Sequence, residues 1–388
     1  MNNQSRAWTE IDLDAIAHNV REIRRVTSNH AEIMGVVKAD AYGHGVHEVA
    51  DTLLSNGATR LAVSMVDEAI ELRQSGIEAP ILVLGYTDPS RADDIIEYKI
   101  TQTIFTHDLA RALSDAAVAK NTKIKVHVKI DTGMGRVGFL PGYSAVKDVM
   151  EINKLPGLVI EGMFTHFAVA DENGDQDAYT KHQFELFMNI ATELSRVGII
   201  IPIKHVANSA AIIRFPEMHL DMVRAGIILY GLHPSFVTDY GKIDLHPAMT
   251  FKARVTNIKN VEEGCSVSYG RTFKTEKPSR IATVSIGYAD GYLRAFSNKA
   301  DMAIAGERFP VRGRVCMDQC MIDITDAKGD IKVGDEVELF GKNISVNELS
   351  EIADTINYEL ICLIGKRVPR VYYKDGEVVT TLNFIVKS

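Results

Sequence analysis

Lys38 is the residue of this chain whose setting most strongly suggests chemistry. It follows the apolar pair Val36-Val37, at the end of a short run with the character of a β-strand. Burial disfavours a charged amine, so a lysine in such a place is better explained by covalent use of its nitrogen, as in a Schiff base, than by solvation.

Four other apolar runs end in polar residues that can bind anions or move protons. They lead into Lys129, Thr165-His166, Asn208-Ser209 and Arg224. Each has a structural alternative: His166 alone is slightly better explained as a hydrogen-bonded core histidine, and Arg224 fits half of an ion pair equally well. Asn208-Ser209 fits a helix N-cap, although a helix N-terminus can be capped and bind phosphate at once.

Two further motifs carry weak signals. Residues 133–138 fit the pattern G-x-G-x-x-G, but the next helix begins only near Pro141, and a dinucleotide fingerprint belongs after the first strand of an array. His44 and His47 lie beside Glu48, yet no further histidine or cysteine ligands accompany them, which favours a helix surface over a metal site. The sequence therefore predicts no metal.

The elements that position these residues follow a repeating pattern. From Ile33 to about Gly231, short β-branched runs alternate with amphipathic segments, which include His44–Ser55, Asp67–Gln74, Ala178–Arg196 and a short one near Ala210–Arg214. The predicted strands are Ile33–Lys38, Leu61–Met65, Ile81–Gly85, Thr101–Phe105, Ile124–Ile130, Val159–Thr165, Ile203–Val206 and Met222–Arg224. Eight such units predict a (β/α)8 barrel, in which the carboxyl ends of the strands meet at one rim and carry the chemistry.

Beyond His233 the pattern changes to short strands separated by turn residues. The predicted elements are the strands Ala253–Ile258, Ile281–Ile286, Glu336–Phe340 and Val368–Tyr373, with one helix near Val346–Asp354. The predicted fold class is therefore α/β: an N-terminal (β/α)8 TIM-like barrel over residues 1–240 and a C-terminal, mainly β domain over residues 241–388.

Composition and charge exclude several classes of function. The 388 residues include 43 Lys+Arg against 51 Asp+Glu, a formal charge of -8, without the basic clusters that nucleic-acid binding requires. Neither a secretory leader within Met1–Trp8 nor an apolar run long enough to span a membrane is present in the sequence. The four cysteines lack CxxC spacing and the density of a disulfide scaffold, which predicts a reducing, cytoplasmic location.

Nine sequence blocks, in order along nearly the whole chain, resemble the bacterial alanine racemases, pyridoxal-phosphate enzymes of fold type III. The segment Val37–Gly45 is similar to the family's cofactor attachment segment. The other blocks are Lys129–Arg136, Thr165–Phe167, Asn208–Ala211, Arg224, Val267–Gly270, Gly287–Gly291, Gly313–Asp318 and Ile356–Glu359. The resemblance implies a barrel with a β domain, a homodimer, and interconversion of L- and D-alanine for cell-wall peptidoglycan.

The resemblance also implies a role for individual residues. Lys38 would hold pyridoxal 5'-phosphate as an internal aldimine and act as the base on the D-alanine face, and Tyr269 would be the base on the L-alanine face. Arg224 would contact the pyridine nitrogen, with His166 near the cofactor ring. The cofactor phosphate and its surroundings would be bound by Tyr42, Asn208, Ser209, Tyr358 and the backbone of Gly226 and Ile227. The substrate carboxylate would be received by Arg136 and the backbone of Met317, in a pocket lined by Tyr288.

General chemistry agrees with these roles. Racemisation removes a proton from one face of Cα and returns one to the other, so two acid/base groups must flank a planar carbanion. A tyrosine needs cationic surroundings to act as a base at neutral pH, which His166 and Arg224 could provide. Because a guanidinium stays protonated, Arg224 cannot give the ring nitrogen a proton, which weakens the ring as an electron sink and disfavours transamination.

Three alternative functions remain open from the sequence. A serine racemase of the same family is one, although Tyr358 should narrow the pocket against a hydroxymethyl group. A non-catalytic pyridoxal-phosphate carrier would consist of a barrel alone, whereas this chain has an extra domain with Tyr269 and Met317. A basic-amino-acid decarboxylase on the same plan would place a glutamate where Arg224 stands.

Two finer expectations concern Lys129 and the partner subunit. A free ammonium at Lys129, seven residues before Arg136, would repel the guanidinium that must receive the substrate carboxylate. A carbamate on Lys129 would reverse that charge and hold Arg136 by hydrogen bonds, while an ion pair with Asp131 is the alternative. The resemblance further implies that Tyr269 and Met317 reach the site from the partner subunit.

Overall fold

The structure, a computed structural model, describes residues 5–235, 241 and 243–386. Its strands are β1 Ala7–Asp12, β2 Glu32–Val36, β3 Arg60–Val63, β4 Ile81–Val83, β5 Thr101–Ile104, β6 Ile124–Lys129, β7 Leu158–Phe164, β8 Ile203–His205, β9 Met222–Ala225, β10 Met249–Val261, β11 Ser266–Val267, β12 Phe273–Lys274, β13 Ser279–Val284, β14 Asp301–Ile304, β15 Glu307–Pro310, β16 Cys320–Asp323, β17 Glu336–Phe340, β18 Arg370–Lys374 and β19 Glu377–Leu382.

The longest helical segments lie in the barrel half of the chain. They are α1 Leu13–Val26, α2 Lys38–Tyr42, α3 Val46–Ser55, α4 Val66–Gln74, α5 Ala92–Glu97, α6 His107–Ala119, α7 Tyr143–Asn153, α8 Gln176–Arg196, α9 Ser209–Arg214, α10 Val346–Ile352 and α11 Asn357–Cys362. Single 3-10 turns lie at Pro89–Arg91, Pro216–Met218, Ile227–Tyr230, Tyr269–Arg271, Tyr288–Asp290 and Arg294–Phe296.

The chain divides into two compact units, which we call the barrel unit and the β unit. The barrel unit consists of Ala15–Ala41 and Val46–His246. The β unit consists of Met1–Asp14, Tyr42–Gly45 and Pro247–Ser388. Residue 240, at the boundary predicted between residues 1–240 and 241–388, lies outside the described residues, and that boundary stays a prediction.

The barrel unit is built on an eight-stranded parallel sheet in the order β8-β7-β6-β5-β4-β3-β2-β9. The sheet returns on itself, because the N–H of Arg224 donates to the carbonyl of Ala207 at 3.0 Å and that of Asp221 to Lys204 at 3.1 Å, which brings β9 beside β8. All eight predicted strands are present, with ends within two residues of the prediction. The predicted (β/α)8 barrel is confirmed.

Amphipathic helices cover the barrel strands. In α3 the buried side chains are Val46, Val49, Ala50 and Leu53, a spacing that places them on one face of the helix. The alternation of helix and strand in the sequence therefore has the expected cause: each helix buries one apolar stripe, and each strand is apolar because parallel sheets are covered on both faces.

The β unit is centred on the long strand β10. Its first half pairs with β1 and β17 and buries Met249, Phe251, Ala253 and Val255 on one face, while its second half pairs with β13 beyond a register shift after Val255. The main sheet runs β15-β14-β17-β10-β1-β18-β19, and β13 extends it to β16. The predicted mainly β character is confirmed, and β1, which the sequence did not predict, joins β10 to β18.

Within the described part of the chain, no helix combines the length and the apolar composition needed to cross a lipid bilayer.

Candidate active site

Lys38 opens a turn of left-handed helix directly after β2. The next four residues have φ values of 53° (Ala39), 54° (Asp40), 52° (Ala41) and 53° (Tyr42). This conformation costs a residue with a Cβ roughly 1–2 kcal/mol, so a run of four persists only where the surroundings hold it. The backbone at this end of β2, beside Lys38, is therefore conformationally constrained.

Two carboxylates hold the left-handed turn through backbone N–H groups. Glu68, in the first turn of α4, accepts hydrogen bonds from the N–H of Ala39 at 2.6 Å and of Ser64 at 2.7 Å. The carboxylate of Asp40 accepts from the N–H of Val46, the first residue of α3, at 2.8 Å. The backbone that carries Lys38 is therefore tied to the two helices that follow it.

Four basic side chains influence the buried His166, which follows β7. Burial lowers the pKa of His166 well below its ordinary value, and the charges of Arg224, Lys129, Arg136 and Lys38 lower it further. The ring is thus neutral at pH 7, and its Nδ1 lies 3.4 Å from Nη2 of Arg224. The structure brings these predicted residues together from the ends of different strands.

Arg224, on β9, is a buried cation whose acceptors are neutral. Its Nη1 donates to the carbonyl of His205 at 2.9 Å and to that residue's Nδ1 at 3.1 Å, and its Nη2 donates to the carbonyls of Thr165 at 2.8 Å and Val206 at 3.0 Å. Burial, with the charge of Arg136, lowers the pKa of Arg224 to about 9, so the guanidinium remains protonated at neutral pH. None of these acceptors is a carboxylate. Among the described residues, Arg224 therefore does not form the structural ion pair that the sequence left open as an alternative.

A chain of hydrogen bonds runs from Arg224 through the barrel interior. Since Nδ1 of His205 accepts from the guanidinium, its Nε2 carries the proton and donates to Nδ1 of His127 at 2.8 Å. The Nε2 of His127 then donates to Glu161 at 3.3 Å. Burial lowers the pKa of both imidazoles, so each is neutral and its tautomer is fixed by this order.

Lys129 ends β6 with only 3 % of its surface exposed, and its Nζ has no hydrogen-bond partner among the described residues. The nitrogen lies 4.7 Å from the centre of the Phe164 ring. Burial lowers the pKa of Lys129 well below its ordinary value, and Arg224 and Arg136 lower it further against an opposing effect of Asp131. A neutral amine at this place is therefore favoured.

Asp131 organises the loop that presents Arg136. Its carboxylate accepts hydrogen bonds from the N–H groups of Gly133 at 3.1 Å, Gly135 at 3.0 Å and Arg136 at 3.0 Å. Burial raises the pKa of Asp131, but these three donors outweigh it and lower the pKa overall. The carboxylate is thus engaged by its own loop, and the predicted alternative of an ion pair with Lys129 is not formed among the described contacts.

The glycines of the G-x-G-x-x-G pattern serve this loop rather than a nucleotide fingerprint. Gly138 has a φ of 138°, and a Cβ there would lie 2.4 Å from the backbone nitrogen of Asp131. The close approach of the two chain segments therefore requires glycine, and the next helix, α7, begins only at Tyr143.

Ser209 and Gly226 lie side by side at the ends of β8 and β9. The hydroxyl of Ser209 accepts a hydrogen bond from the N–H of Gly226 at 2.9 Å, and Ile227 begins the 3-10 turn that follows. Asn208 caps α9, because its side chain accepts from the N–H of Ala211 at 3.0 Å. The expected N-cap is present, and these four residues share one corner of the rim.

In the β unit, Tyr42 and Tyr358 lie together. Their ring centres are 6.1 Å apart and the rings are tilted by 47°. Burial raises the pKa of the Tyr42 phenol well above its ordinary value, so the hydroxyl is protonated and can donate a hydrogen bond.

Three loops of the β unit carry Tyr269, Tyr288 and Met317. The N–H of Tyr288 donates to the carbonyl of Cys316 at 3.1 Å, and the hydroxyl of Ser268 donates to that of Arg314 at 2.6 Å, which joins the loops. The exposed fractions of the three side chains are 70 % for Tyr269, 43 % for Tyr288 and 52 % for Met317. The structure brings these predicted residues together on the surface of the β unit.

Comparison with known proteins decides the family. The family model "Alanine racemase, N-terminal domain" matches residues 11–234, and "Alanine racemase, C-terminal domain" matches residues 248–372. This chain belongs to the alanine racemase family. It is 52% identical over 383 residues to alanine racemase 1 of Clostridium acetobutylicum, which covers 97% of this chain and 98% of that protein.

Solved structures of alanine racemases have the same fold. The enzyme of Clostridium difficile 630 superposes with a TM-score of 0.96 at 44% identity, covering 99% of this chain and 100% of that one. The alanine racemase of Bacillus anthracis with bound L-Ala-P gives 0.92 at 38% identity, covering 99% of each chain. The predicted resemblance is confirmed, the chain is an amino-acid racemase, and a serine racemase is not favoured.

Four residues that are hydrogen-bonded to the predicted site, directly or through one another, were not predicted as site residues: Glu68, His127, Glu161 and His205. For His127 a signal existed, since Lys125, His127 and Lys129 alternate with apolar residues along β6 and must share one face of the strand. Gly162 is a second indication, because a Cβ there would lie 2.5 Å from the His127 ring, so the ring needs a glycine beside it. Glu68 has no such signal, because its role depends on a turn that the sequence does not reveal.

One interpretation of the sequence is corrected by the structure. His44 does not lie on a helix surface: it is buried, precedes α3, and its Nδ1 lies 3.0 Å from the carbonyl oxygen of Tyr42. His47 does lie on α3, where its Nε2 is 3.3 Å from a carboxylate oxygen of Glu71. The positive φ of Gly43 and Gly45 lets the chain turn His44 inward, which a helical pattern cannot anticipate.

Proposed function

We propose that this chain interconverts L-alanine and D-alanine with pyridoxal 5'-phosphate bound at the rim of the barrel unit. The observation that carries the proposal is the group of basic side chains around a neutral His166: Lys38, Arg136 and Arg224, with the buried amine of Lys129 beside them. The neighbouring carboxylate, Asp131, is engaged by three backbone N–H groups. A site with this excess of positive charge suits a phosphate and an amino-acid carboxylate.

The residues at the rim fit the cofactor. Arg224 already donates to neutral acceptors, which suits a further neutral acceptor such as an unprotonated pyridine nitrogen. Ser209 with the backbone of Gly226 and Ile227, together with Asn208, Tyr42 and Tyr358, would hold the phosphate. When bound, pyridoxal phosphate withdraws electrons from the amino acid and makes its Cα proton removable.

Two residues of the chain would then move the proton. Lys38 would take or return it on the D-alanine face, held in place by the left-handed turn, and Tyr269 would do so on the L-alanine face. Arg136 and the backbone of Met317 would fix the substrate carboxylate so that Cα stays between the two groups, and Tyr288 would line the pocket. Orientation of this kind is what makes two successive proton transfers at one carbon efficient.

Lys129 would support Arg136 as a carbamate. The neutral, nucleophilic Nζ attacks the carbon of CO2. One N–C bond forms, one C–O π bond of CO2 opens to leave a negative charge on oxygen, and the proton lost from the nitrogen passes to solvent. The product would replace a neutral amine by a negative charge that the guanidinium groups of Arg136 and Arg224 attract, and charge-assisted hydrogen bonds to Arg136 could then form. The support for this step is the burial of Lys129, its lowered pKa and the absence of a hydrogen-bond partner for Nζ in the described structure.

The wider setting of the reaction follows the same proposal. The protein would act in the cytoplasm as a homodimer, and its D-alanine would supply peptidoglycan synthesis. The support for the dimer is the exposure of Tyr269 and Met317, since a catalytic phenol and a carboxylate-binding loop need a covering surface to exclude water.

Chiral analysis tests the proposed function. The holoenzyme is incubated with each alanine enantiomer in D2O, and both reactions are expected to reach nearly equal amounts of the two enantiomers with deuterium at Cα. Lys38→Ala and Tyr269→Phe should each abolish the conversion, and Lys123→Ala, an exposed lysine before β6, should leave it unchanged. A cofactor absorbance without conversion would indicate a non-catalytic carrier. Release of CO2 would indicate a decarboxylase, and faster conversion of serine than of alanine would indicate a serine racemase.

A further inference from the structure

A second group of residues with the chemistry of a metal site lies in the barrel unit and takes no part in the proposed reaction. It consists of His18 on α1 with Asp244 and His246, which lie close together in the chain. One ligand atom from each lies within 4.8 Å of the other two. Among the described residues, it is the one group of three or more histidine, cysteine, aspartate or glutamate side chains that could hold a metal ion.

Two of the three distances within the group are close to those around a tetrahedral ion. One oxygen of Asp244 lies 3.2 Å from Nε2 of His18 and 3.4 Å from Nε2 of His246. Bonds of about 2.0–2.1 Å to zinc imply ligand atoms roughly 3.3 Å apart at tetrahedral angles. The two imidazoles are stacked, with ring centres 3.9 Å apart and planes inclined by 9°. Because an imidazole nitrogen binds a metal in the plane of its ring, the two rings would tilt towards each other when an ion binds.

The backbone beneath these side chains is fixed before any ion binds. Asn19, fully buried on α1, donates to the carbonyl of His246 at 2.9 Å and accepts from its N–H at 2.8 Å. Glu22, one turn further along α1, accepts from the N–H of Asp244 at 3.2 Å and forms an ion pair with Arg25 at 2.7 Å. These bonds fix the backbone that carries two of the three side chains, which reduces the freedom that metal binding would otherwise have to remove.

We propose that His18, Asp244 and His246 bind one divalent transition-metal ion of the zinc class, with water completing its coordination. Two imidazoles and one carboxylate suit zinc, whereas magnesium and calcium prefer ligand sets made of oxygen atoms. The ion would fasten the segment around Asp244 to α1, just before the chain continues into β10. The sequence predicted no metal, and this proposal differs from that prediction because His18 and His246 lie at opposite ends of the barrel unit's sequence, where local spacing cannot bring them together.

Zinc titration of the purified holoenzyme tests the site. We expect the wild-type chain to bind one zinc ion that His18→Gln and Asp244→Asn each weaken more than tenfold, since loss of an outer-shell partner alone costs about 10–100-fold. The control is His182→Gln, an exposed histidine on α8 that should keep wild-type affinity. Cys362, an exposed cysteine, is present in every variant, so any zinc it binds is common to all of them.

Two further readouts distinguish a metal site from a hydrogen-bonded pair of histidines. Co2+ should give the visible absorption typical of four-coordinate cobalt in the wild type and the control but not in the two variants. Zinc should raise the unfolding temperature of the wild type and of the His182→Gln control, and leave that of His18→Gln and Asp244→Asn unchanged. If His18→Gln fails to fold, Asp244→Asn at the exposed carboxylate decides the result, and equal zinc affinity in that variant and the wild type would overturn the proposal.

Discussion

At the scale of single residues, the site is governed by where protons and charges are held. Arg224 is protonated and donates to neutral groups, and the order of donors fixes His205 and His127 as neutral tautomers as far as Glu161. This series of hydrogen bonds has the positive charge of Arg224 at one end, at the rim, and the balancing carboxylate of Glu161 at the other. The cofactor's ring nitrogen would therefore meet a cation whose proton is not available to it.

The clearest residue-scale prediction concerns Lys129. Lys129→Ala should lower kcat/KM for alanine roughly tenfold to hundredfold, the worth of a hydrogen bond to a charged group, because Arg136 loses its carbamate partner. A small added carboxylate such as acetate should restore part of the activity. Mass spectrometry and electron density at Nζ should show the added CO2 in the wild type.

Lys123→Ala is the matched control for Lys129, because Lys123 is exposed just before the same strand. It should keep full activity and show no response to acetate. Full activity of Lys129→Ala, without rescue, would count against the carbamate.

A second residue-scale prediction concerns stability in acid. The hydrogen bond from His127 lowers the pKa of Glu161 from 4.5 to about 2, helped by Lys125 and Arg60 and opposed by burial. The folded state holds the carboxylate ionised, so its contribution is complete above pH 4.5 and disappears as the pH falls towards 2. Between pH 7 and pH 3 the wild type should lose about 2 kcal/mol more than Glu161→Gln in urea unfolding.

The exposed Glu185 on α8 provides the control for this measurement. Glu185→Gln should follow the wild-type dependence on pH. If Glu161→Gln also followed it, the hydrogen bond between His127 and Glu161 would have no energetic consequence.

At the scale of elements, the sequence predicts the barrel strands well and the β unit less completely. The barrel strands can be recognised in the sequence as short β-branched runs, because both faces of each strand are buried. β1 was missed, since the sequence Ala7–Asp12 becomes a strand only by pairing with β10 and β18, more than 200 residues away along the chain. Pairing over such distances leaves no local signal.

The turn after Lys38 shows the same limit more sharply. Ala39, Asp40 and Ala41 would favour a right-handed helix by propensity, yet they form a left-handed one held by hydrogen bonds from outside the segment. The resemblance could identify Lys38, but neither it nor local propensity could reveal the conformation or the role of Glu68.

An element-scale prediction follows from that conformation. Ala39→Gly should leave the free energy of unfolding unchanged or raise it by up to about 1 kcal/mol, because glycine adopts a positive φ without the Cβ penalty. Ala116→Gly, in the right-handed helix α6, should lower it by about 1 kcal/mol. Urea unfolding of both variants checks this pair, and equal destabilisation by the two would argue against a left-handed turn after Lys38.

At the scale of the whole molecule, the proposed reaction needs two units of structure with different tasks. The barrel unit gathers cations around His166, while the β unit presents Tyr269 and Met317 on an exposed surface. Family likeness implied that these two residues serve the partner subunit's cofactor. A two-fold symmetric dimer would then contain two composite sites, each with Lys38 from one chain and Tyr269 from the other.

Mixing inactive subunits tests this central claim most directly. Lys38→Ala and Tyr269→Phe homodimers are each expected to be inactive and set the background. After refolding together in equal amounts, about half of the dimers are mixed, and each mixed dimer has one site with both groups intact and one with neither. Racemisation of alanine should therefore recover to about a quarter of the wild-type rate. No recovery, with mixed dimers demonstrated by mass spectrometry, would contradict the account, because each chain would then build its site alone.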